Sequence, residues 1–224
     1  MENRLLLELK DVSYFYEKDS LILDKINFKL RQSDFIGLRG TNGAGKTTLI
    51  KIITGILKPK NGEVITHIDK KGAFGYVRQN ITFADKFPAN VFEIVNAGLY
   101  PKYKYEHLSD KDGSDFVKKA LKLMEMDGFE KKLIGELSGG QKQRVLIAKA
   151  IVCEPEVMVL DEPDSGIDEK SAINLYELLS KINKERKISI LLISHDIHAL
   201  YKYTKKVYLL NDGKLYDESE EAQS

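Results

Sequence analysis

Short apolar runs of strand length dominate the first eighty residues of this chain. They predict strands over residues 5–9, 22–30, 35–39, 62–66 and 74–77, because short apolar runs bounded by turn residues are typical of strands. Between residues 80 and 155 the apolar positions change to helical spacing, which predicts helices over 91–99, 114–126 and 139–152. A charged stretch over 100–113, which contains Pro101, is predicted to be a loop between helices.

Strand-length runs return after Glu156, at 157–160, 188–193 and 206–210, and a helix over 168–184 is predicted between the first two. Apolar strands that alternate with helices indicate a parallel sheet covered on both faces. We therefore predict an α/β core with an inserted helical part, and divide the chain into residues 1–80, 81–155 and 156–224. The sequence Asn211-Asp212-Gly213 predicts a hairpin, and the acidic tail over 217–224 is expected to be frayed.

One glycine-rich segment lies between a predicted strand and a predicted helix. It fits the pattern G-x-x-x-x-G-K-[ST] and reads Gly40-Thr41-Asn42-Gly43-Ala44-Gly45-Lys46-Thr47. Its glycines allow backbone N–H groups to curl around a phosphate, and the N-terminus of the next helix adds partial positive charge. Lys46 supplies a full charge for the β- and γ-phosphates, and the Thr47 hydroxyl suits Mg²⁺. The segment predicts a phosphate-binding loop, followed by a helix that ends at the turn over 58–62.

Two carboxylates follow the predicted strand over 157–160. Open α/β sheets place their sites at the carboxyl ends of their strands. Asp161 is therefore predicted to hold Mg²⁺ through water, and Glu162 to polarise a water molecule that attacks the γ-phosphate. With the phosphate-binding loop, these residues predict a nucleoside triphosphatase.

The charge balance gives no field that favours nucleic acid. The chain has 35 Lys and Arg against 34 Asp and Glu, a net charge of +1, so binding to a duplex by phosphate neutralisation is not expected. The one cysteine, Cys153, excludes a disulfide within the chain and favours a reducing compartment.

A second glycine-rich helix start has the sequence Leu137-Ser138-Gly139-Gly140-Gln141. Ser138 can cap the helix, and the N–H groups that follow can hold another anion. With the two earlier motifs in this order, the chain resembles the ATP-binding subunit of an ABC transporter over essentially its whole length. The resemblance implies a P-loop NTPase (RecA-like) core, an N-terminal antiparallel β-subdomain and an inserted α-helical subdomain.

The resemblance also implies roles for further side chains. Tyr16 is expected to stack on adenine, with Tyr14 and Phe15 as alternatives. Gln79, just after the strand over 74–77, is expected to reach Mg²⁺ and to link the two lobes, and His195 to contact the γ-phosphate. Residues 165–168 resemble the loop through which two ATPase subunits sense each other.

Three sets of site residues follow from the motifs and the resemblance together. The nucleotide is expected to contact Tyr16, Gly40, Thr41, Asn42, Gly43, Ala44, Gly45, Lys46, Thr47, Thr48, Ser138, Gly139, Gly140 and Gln141. The residues expected to act in catalysis are Glu162, His195, Lys46 and Gln79. The residues expected to hold Mg²⁺ are Thr47, Gln79 and Asp161.

In subunits of this kind two copies pack head to tail with ATP between them. The resemblance implies that residues 138–141 of one copy close over the nucleotide held by Lys46 of the other. Closure is expected to drive an integral membrane permease, which the residues after Gln79 contact, and an extracytoplasmic solute-binding protein takes part indirectly. The protein is then expected to be cytoplasmic, held on the inner face of the cell membrane by the permease.

A finer resemblance concerns the cargo. Phe87-Pro88-Ala89-Asn90-Val91-Phe92-Glu93, Gly98-Leu99 and Ser13-Tyr14-Phe15-Tyr16 resemble the corresponding segments of zinc/manganese-type metal importers. This implies import of zinc or manganese. Three alternatives stay open: another cargo, an exporter, and a soluble ABC ATPase without a membrane subunit, such as one for cluster assembly. One departure from the family pattern is Asp164, where a threonine or serine is common.

Overall fold

The computed structural model describes residues 3–16, 20–68, 74–79 and 87–218. The strands in these ranges are β1 (Leu5–Phe15), β2 (Leu21–Arg31), β3 (Phe35–Arg39), β4 (Asn61–Thr66), β5 (Phe74–Val77), β6 (Val157–Asp161), β7 (Ser189–Ile193), β8 (Lys206–Asn211) and β9 (Lys214–Asp217). The helices are α1 (Lys46–Ile53), α2 (Val91–Asn96), α3 (Tyr100–Glu106), α4 (Asp110–Leu123), α5 (Gly139–Ile151), α6 (Glu169–Arg186) and α7 (Ile197–Tyr203), with 3₁₀ turns at Ala97–Leu99 and Ile134–Glu136.

The strands form two sheets. A three-stranded antiparallel sheet has the order β2-β1-β4, and a six-stranded sheet has the order β5-β6-β7-β3-β8-β9. Every pair in the larger sheet is parallel except β8–β9, which is the predicted hairpin, with positive φ at Asp212 and Gly213. The predicted fold class is confirmed. The division of the chain at residues 80 and 155 stays a prediction.

Two hydrophobic cores cover the larger sheet from its two faces. Met158 and Leu160 of β6 pack with the helices α2, α4, α5 and α6, whereas Val157 and Val159 pack with α1 and the smaller sheet. This alternation follows from the two-residue period of a strand. Because both faces of β6 are buried, its sequence is continuously apolar until it reaches Asp161. Asp161, the first polar residue, therefore lies at the carboxyl end of β6.

The prediction of a loop over residues 100–113 was wrong. Residues 100–106 form α3, and α4 begins at Asp110 after Ser109, whose hydroxyl accepts from the Asp112 N–H at 3.3 Å. Pro101 is the second residue of α3, where its missing N–H would have had no helical partner in any case. Gly113 lies inside α4, and the position requires a glycine because a Cβ there would lie 2.0 Å from the Tyr103 hydroxyl. No helix in the described ranges is both long and apolar enough to cross a membrane.

Several element ends also differ from the prediction; β1, for example, runs to Phe15 and does not end at residue 9. The helix after the phosphate-binding loop ends at Ile53, followed by Gly55 with φ 75°, so it ends about one turn before the turn over 58–62. At the other end of the chain, Asp217 belongs to β9 and Glu218 is buried. The Arg39 guanidinium donates to both Glu218 oxygens, at 2.6 and 2.5 Å. This part of the tail is therefore fixed, and residues 219–224 lie outside the described residues.

Candidate active site

The phosphate-binding loop follows β3 and leads directly into α1. Gly43 and Gly45 have φ 84° and 102°, a region that L-residues with side chains rarely adopt. A Cβ on Gly45 would also lie 3.0 Å from the Ile22 carbonyl oxygen. Gly45 is the N-cap of α1, and no side chain caps the helix, so the first-turn N–H groups are free of a side-chain acceptor. An anion fits at this position.

Lys46 folds back on its own loop. Its Nζ donates to the carbonyl oxygens of Gly40 at 2.6 Å and Thr41 at 3.0 Å. The side chain is buried, and these two hydrogen bonds satisfy a charge that would otherwise be costly to bury. A phosphate placed in the loop would offer Lys46 a charged acceptor in exchange for two neutral ones.

A cleft of about 370 Å³ opens beside the loop. The residues that line it are Tyr16, Ile22, Asn42, Gly43, Gly45, Lys46, Thr47, Thr48, Gln79, Asp161 and Glu162. Tyr16 is 57% exposed, and its hydroxyl lies 3.5 Å from the Thr48 hydroxyl. Tyr14 packs edge-on against Tyr16 with 5.1 Å between ring centroids, but it is buried in the core. Tyr16 is therefore the better placed of the two to offer a ring face to a base.

The acidic end of β6 lies at the floor of the cleft. Asp161 is only 6% exposed. Burial and, secondarily, the charge of Glu162 raise the pKa of the Asp161 carboxyl, while the Tyr76 hydroxyl and Lys46 act in the opposite direction. The hydroxyl of Tyr76 lies 3.5 Å from Asp161 Oδ2. A cation near Asp161 would offset the cost of its buried charge.

Glu162 connects two other predicted residues. Its Oε1 lies 2.9 Å from His195 Nε2, and its Oε2 accepts a hydrogen bond from Gln79 Nε2. The backbone of Glu162 has φ 50°, uncommon for a residue with a side chain, and its N–H donates to the Ile193 carbonyl at 2.9 Å. The chain therefore turns sharply at the end of β6 and aims this carboxylate between Gln79 and His195.

The second glycine-rich helix start lies elsewhere on the molecule. Ser138 and Gln141 form a reciprocal capping box at the start of α5. A Cβ on Gly139 would lie 3.3 Å from the Gly166 carbonyl oxygen, and one on Gly140 would lie 3.1 Å from the Ser171 hydroxyl. Residues 138–141 do not line the cleft. One copy of the chain therefore holds two separate candidate anion sites.

Two residues of the site had not been predicted. Ile22 lines the cleft beside Gly45, but an apolar residue near the start of a strand carries no sequence signal for this role. Tyr76, on β5, reaches Asp161 through the pairing of β5 with β6. The position of a tyrosine one residue before the end of a strand over 74–77 could have suggested proximity to the neighbouring strand end.

Comparison with known proteins identifies the family. Residues 23–165 match the sequence profile described as ABC transporter. The chain belongs to the ABC transporter family. Members of this family are ATPases, and this chain is the ATP-hydrolysing subunit of a transporter. The resemblance inferred from the three motifs is confirmed.

Individual family members cover most of the chain. The zinc uptake system ATP-binding protein ZurA of Listeria innocua is 38% identical over 224 residues, which cover 96% of this chain and 86% of ZurA. The energy-coupling factor transporter ATP-binding protein EcfA of Methanococcus maripaludis is 37% identical over 219 residues, which cover 94% of this chain and 77% of EcfA. Relatives of more than one transporter type are thus similarly close in sequence.

The fold also matches solved structures of family members. The dimeric ATP-binding cassette MJ0796, in a post-hydrolysis state bound to ADP and Pi, superposes with a TM-score of 0.80 at 27% identity. The match covers 95% of this chain and 98% of that one.

Proposed function

We propose that this chain powers the import of a transition metal ion, zinc or manganese, by hydrolysing ATP on the cytoplasmic side of a membrane permease. The proposal of ATP hydrolysis rests on one observation: Lys46, Gln79 and Glu162 line the same cleft. The cargo is argued from sequence: the similarity to ZurA spans almost the whole chain. The second candidate, a motor for another cargo, is favoured by the similarity to EcfA.

The nucleotide occupies the cleft beside the loop in this proposal. Its adenine stacks on the exposed face of Tyr16, and its phosphates accept from the N–H groups between Gly40 and Thr48. Lys46 leaves the carbonyl oxygens of Gly40 and Thr41 and turns to the phosphates. Its charge then faces the β- and γ-phosphates at the point where hydrolysis builds negative charge.

The cleft also fits Mg²⁺. Thr47, Gln79 and Asp161 all line it and offer a hydroxyl, an amide oxygen and a carboxylate, which are the hard oxygen donors that Mg²⁺ prefers. The raised pKa of Asp161 indicates a carboxylate whose buried charge lacks full compensation. When bound, Mg²⁺ would supply charge neutralisation for the phosphates. Glu162 is the base that orients water, and His195 contacts the γ-phosphate.

The site is completed by a second copy of the chain in this proposal. Residues 138–141 lie outside the cleft of their own chain, at a helix start suited to an anion. In a head-to-tail dimer, Ser138, Gly139, Gly140 and Gln141 of one copy would cover the ATP on Lys46 of the other. The dimeric structure of the relative MJ0796 supports this arrangement.

A membrane permease is the proposed partner of the helical part. The candidate contact comprises the exposed residues of Phe87–Glu93, together with residues 80–86, which lie outside the described residues. Leu99, in the second segment that resembles metal importers, is buried in the core. Phe87 is exposed, and Asn90 and Glu93 form a capping box that fixes the start of α2. The permease would hold the subunit at the inner face of the membrane, and a solute-binding protein would deliver the metal from outside.

Capture of the ATP-bound complex tests the partner. Tagged Glu162→Gln protein, purified from the native cell with MgATP after mild solubilisation, should retain a polytopic membrane protein. The double variant Lys46→Ala, Glu162→Gln is the matched control, since it should not bind ATP. Recovery of soluble proteins alone, with ATPase activity intact in the wild-type chain, would contradict a transporter subunit and favour the soluble class.

Uptake measurements test the cargo. Cells that carry Lys46→Ala in place of the wild-type chain should lose uptake of radioactive zinc or manganese. Unchanged uptake of both metals, with loss of another cargo, would favour the second candidate.

A further inference from the structure

A buried chain of hydrogen bonds joins the turn that carries Glu162 to the turn that carries His195. Asp164 lies two residues after Glu162, and Ser194 immediately precedes His195. The Ser194 hydroxyl donates to Asp164 Oδ2 at 2.9 Å. Ser194 is only 2% exposed, so water does not compete for this contact.

The direction of each hydrogen bond that Ser194 makes in this network can be assigned. The Asp196 N–H donates to Ser194 Oγ at 2.9 Å, and the Tyr176 hydroxyl lies 3.1 Å from the same oxygen. Burial raises the pKa of Tyr176, so its phenol keeps its proton. Because Ser194 gives its single proton to the carboxylate, Tyr176 donates to Ser194. The Ser194 hydroxyl thus accepts two hydrogen bonds and donates one.

Asp164 itself is left partly unsatisfied. Its Oδ1 is buried and has no hydrogen-bond partner among the described residues, a costly condition for a carboxylate oxygen. Stability therefore does not explain the carboxylate at this position. Such buried, partly satisfied polar groups are concentrated at functional sites.

The backbone of Asp164 begins a turn that packs against the second helix start. Ile167 N–H lies 3.5 Å from the Asp164 carbonyl oxygen, in a turn that also includes Gly166. The Gly166 carbonyl oxygen would lie 3.3 Å from a Cβ on Gly139. The turn that begins at Asp164 therefore lies against Gly139, while the Asp164 side chain contacts Ser194, which precedes His195.

We propose that Asp164 is a positioning residue for ATP hydrolysis: through Ser194 it holds His195 against Glu162, and it ties this contact to the turn that packs under the helix start at 138–141. A shift of that turn, when a second copy closes on the site, would reach His195 through the Asp164–Ser194 hydrogen bond. This inference rests on the proposed roles of Glu162 and His195.

Variants of Ser194 and Asp164 test the inference. Ser194→Ala and Asp164→Ala should each lower kcat about tenfold to a hundredfold, the range associated with displacing a catalytic group by about 1 Å. KM for ATP should stay within twofold, because Tyr16, Lys46 and the loop are untouched. Ser194→Thr keeps the hydroxyl and should restore kcat. If Asp164→Ala fails to fold, the comparison of Ser194→Ala with Ser194→Thr provides the test.

Tyr203→Phe is the matched control for core stability. The Tyr203 ring stacks on Tyr176 with 5.5 Å between centroids. Its buried hydroxyl takes no part in the hydrogen bonds that join Asp164, Ser194 and Tyr176. Tyr203→Phe should leave kcat unchanged. A kcat loss in Tyr203→Phe equal to that in Ser194→Ala would mean that general core packing explains both, and would overturn the inference.

A spectroscopic measurement separates this inference from the proposed site. At fixed pH, the ¹⁵Nε2 chemical shift of His195 should change in Ser194→Ala and return in Ser194→Thr, with or without turnover. Wild-type kcat in Ser194→Ala, while Glu162→Gln is inactive, would overturn the positioning role alone. Full activity in Glu162→Gln would instead overturn the assigned catalytic site, and the His195 shift would still report whether Ser194 holds that ring.

Discussion

Nε2 of His195 lies 2.9 Å from Oε1 of Glu162, so side chains that follow two neighbouring strands, β6 and β7, meet beside the cleft. The other Glu162 oxygen accepts from Gln79. The carboxylate is therefore held on both sides by residues that the sequence assigned to catalysis. Its orientation is set before substrate arrives, as catalysis by positioning requires.

His195→Ala should lower kcat for ATP hydrolysis by about 10²–10³-fold, the cost of removing one hydrogen-bond donor from a site of developing charge. Steady-state ATPase assays would measure it. His198→Ala, a change of the neighbouring exposed histidine in α7, is the control and should be near wild type. Equal activity in the two variants would contradict a role for His195.

Lys46→Ala should abolish detectable ATP binding, because it removes the full charge that faces the phosphates and leaves only backbone N–H groups. Titration with a fluorescent ATP analogue would measure the affinity. Lys51→Ala, in the last turn of the same helix, should bind normally. Tight binding of the analogue to Lys46→Ala would show that the loop holds phosphate without this lysine.

Asp161→Asn should raise the melting temperature of the nucleotide-free protein at pH 7.5 and abolish Mg²⁺-dependent activity. The raised pKa of Asp161 means that the folded state binds this proton more tightly than the unfolded state, whose value is near 3.8. The ionised group therefore destabilises the fold above its raised pKa, and this effect disappears as pH falls below about 3.8.

Thermal unfolding of wild type and Asp161→Asn over a pH series checks the sign. The difference in melting temperature should shrink as pH falls through the raised pKa. A difference that grows on acidification, or an Asp161→Asn protein less stable than wild type at pH 7.5, would mean that the carboxylate is compensated within the apo protein.

Glu218→Gln should lower the free energy of unfolding by about 1.5–3 kcal/mol, a typical value for hydrogen bonds to charged groups. It breaks the two-point contact of Glu218 with Arg39, the residue just before the phosphate-binding loop. Urea unfolding would measure the change. Asp212→Asn, an exposed position in the β8–β9 hairpin, is the control, and equal stability of both variants would contradict a structural role for Glu218.

The parts of the site that sequence could predict are those set by local backbone. Gly43 and Gly45 need positive φ, and Glu162 follows a buried strand, so short patterns mark them. The pairing of Arg39 with Glu218 joins residues far apart in the chain, and the contact of Asp164 with Ser194 depends on β6 and β7 being neighbours. Such contacts depend on tertiary packing, which no local pattern encodes.

The same distinction explains the wrong loop over 100–113. Pro101 and Gly113 are usually helix-breaking residues, but one lies in the first turn of α3 and the other faces the Tyr103 hydroxyl. Both exceptions depend on position within a helix or on a packed neighbour. Single-residue propensity carries neither kind of information.

In the proposed site, two copies of this chain share each ATP. Light scattering of Glu162→Gln at saturating MgATP tests this arrangement most directly, because this variant should bind ATP without hydrolysing it. We predict a shift from the monomer mass to twice that mass with MgATP, and no shift in the Lys46→Ala, Glu162→Gln control. A Glu162→Gln protein that binds ATP and stays monomeric would contradict the shared site.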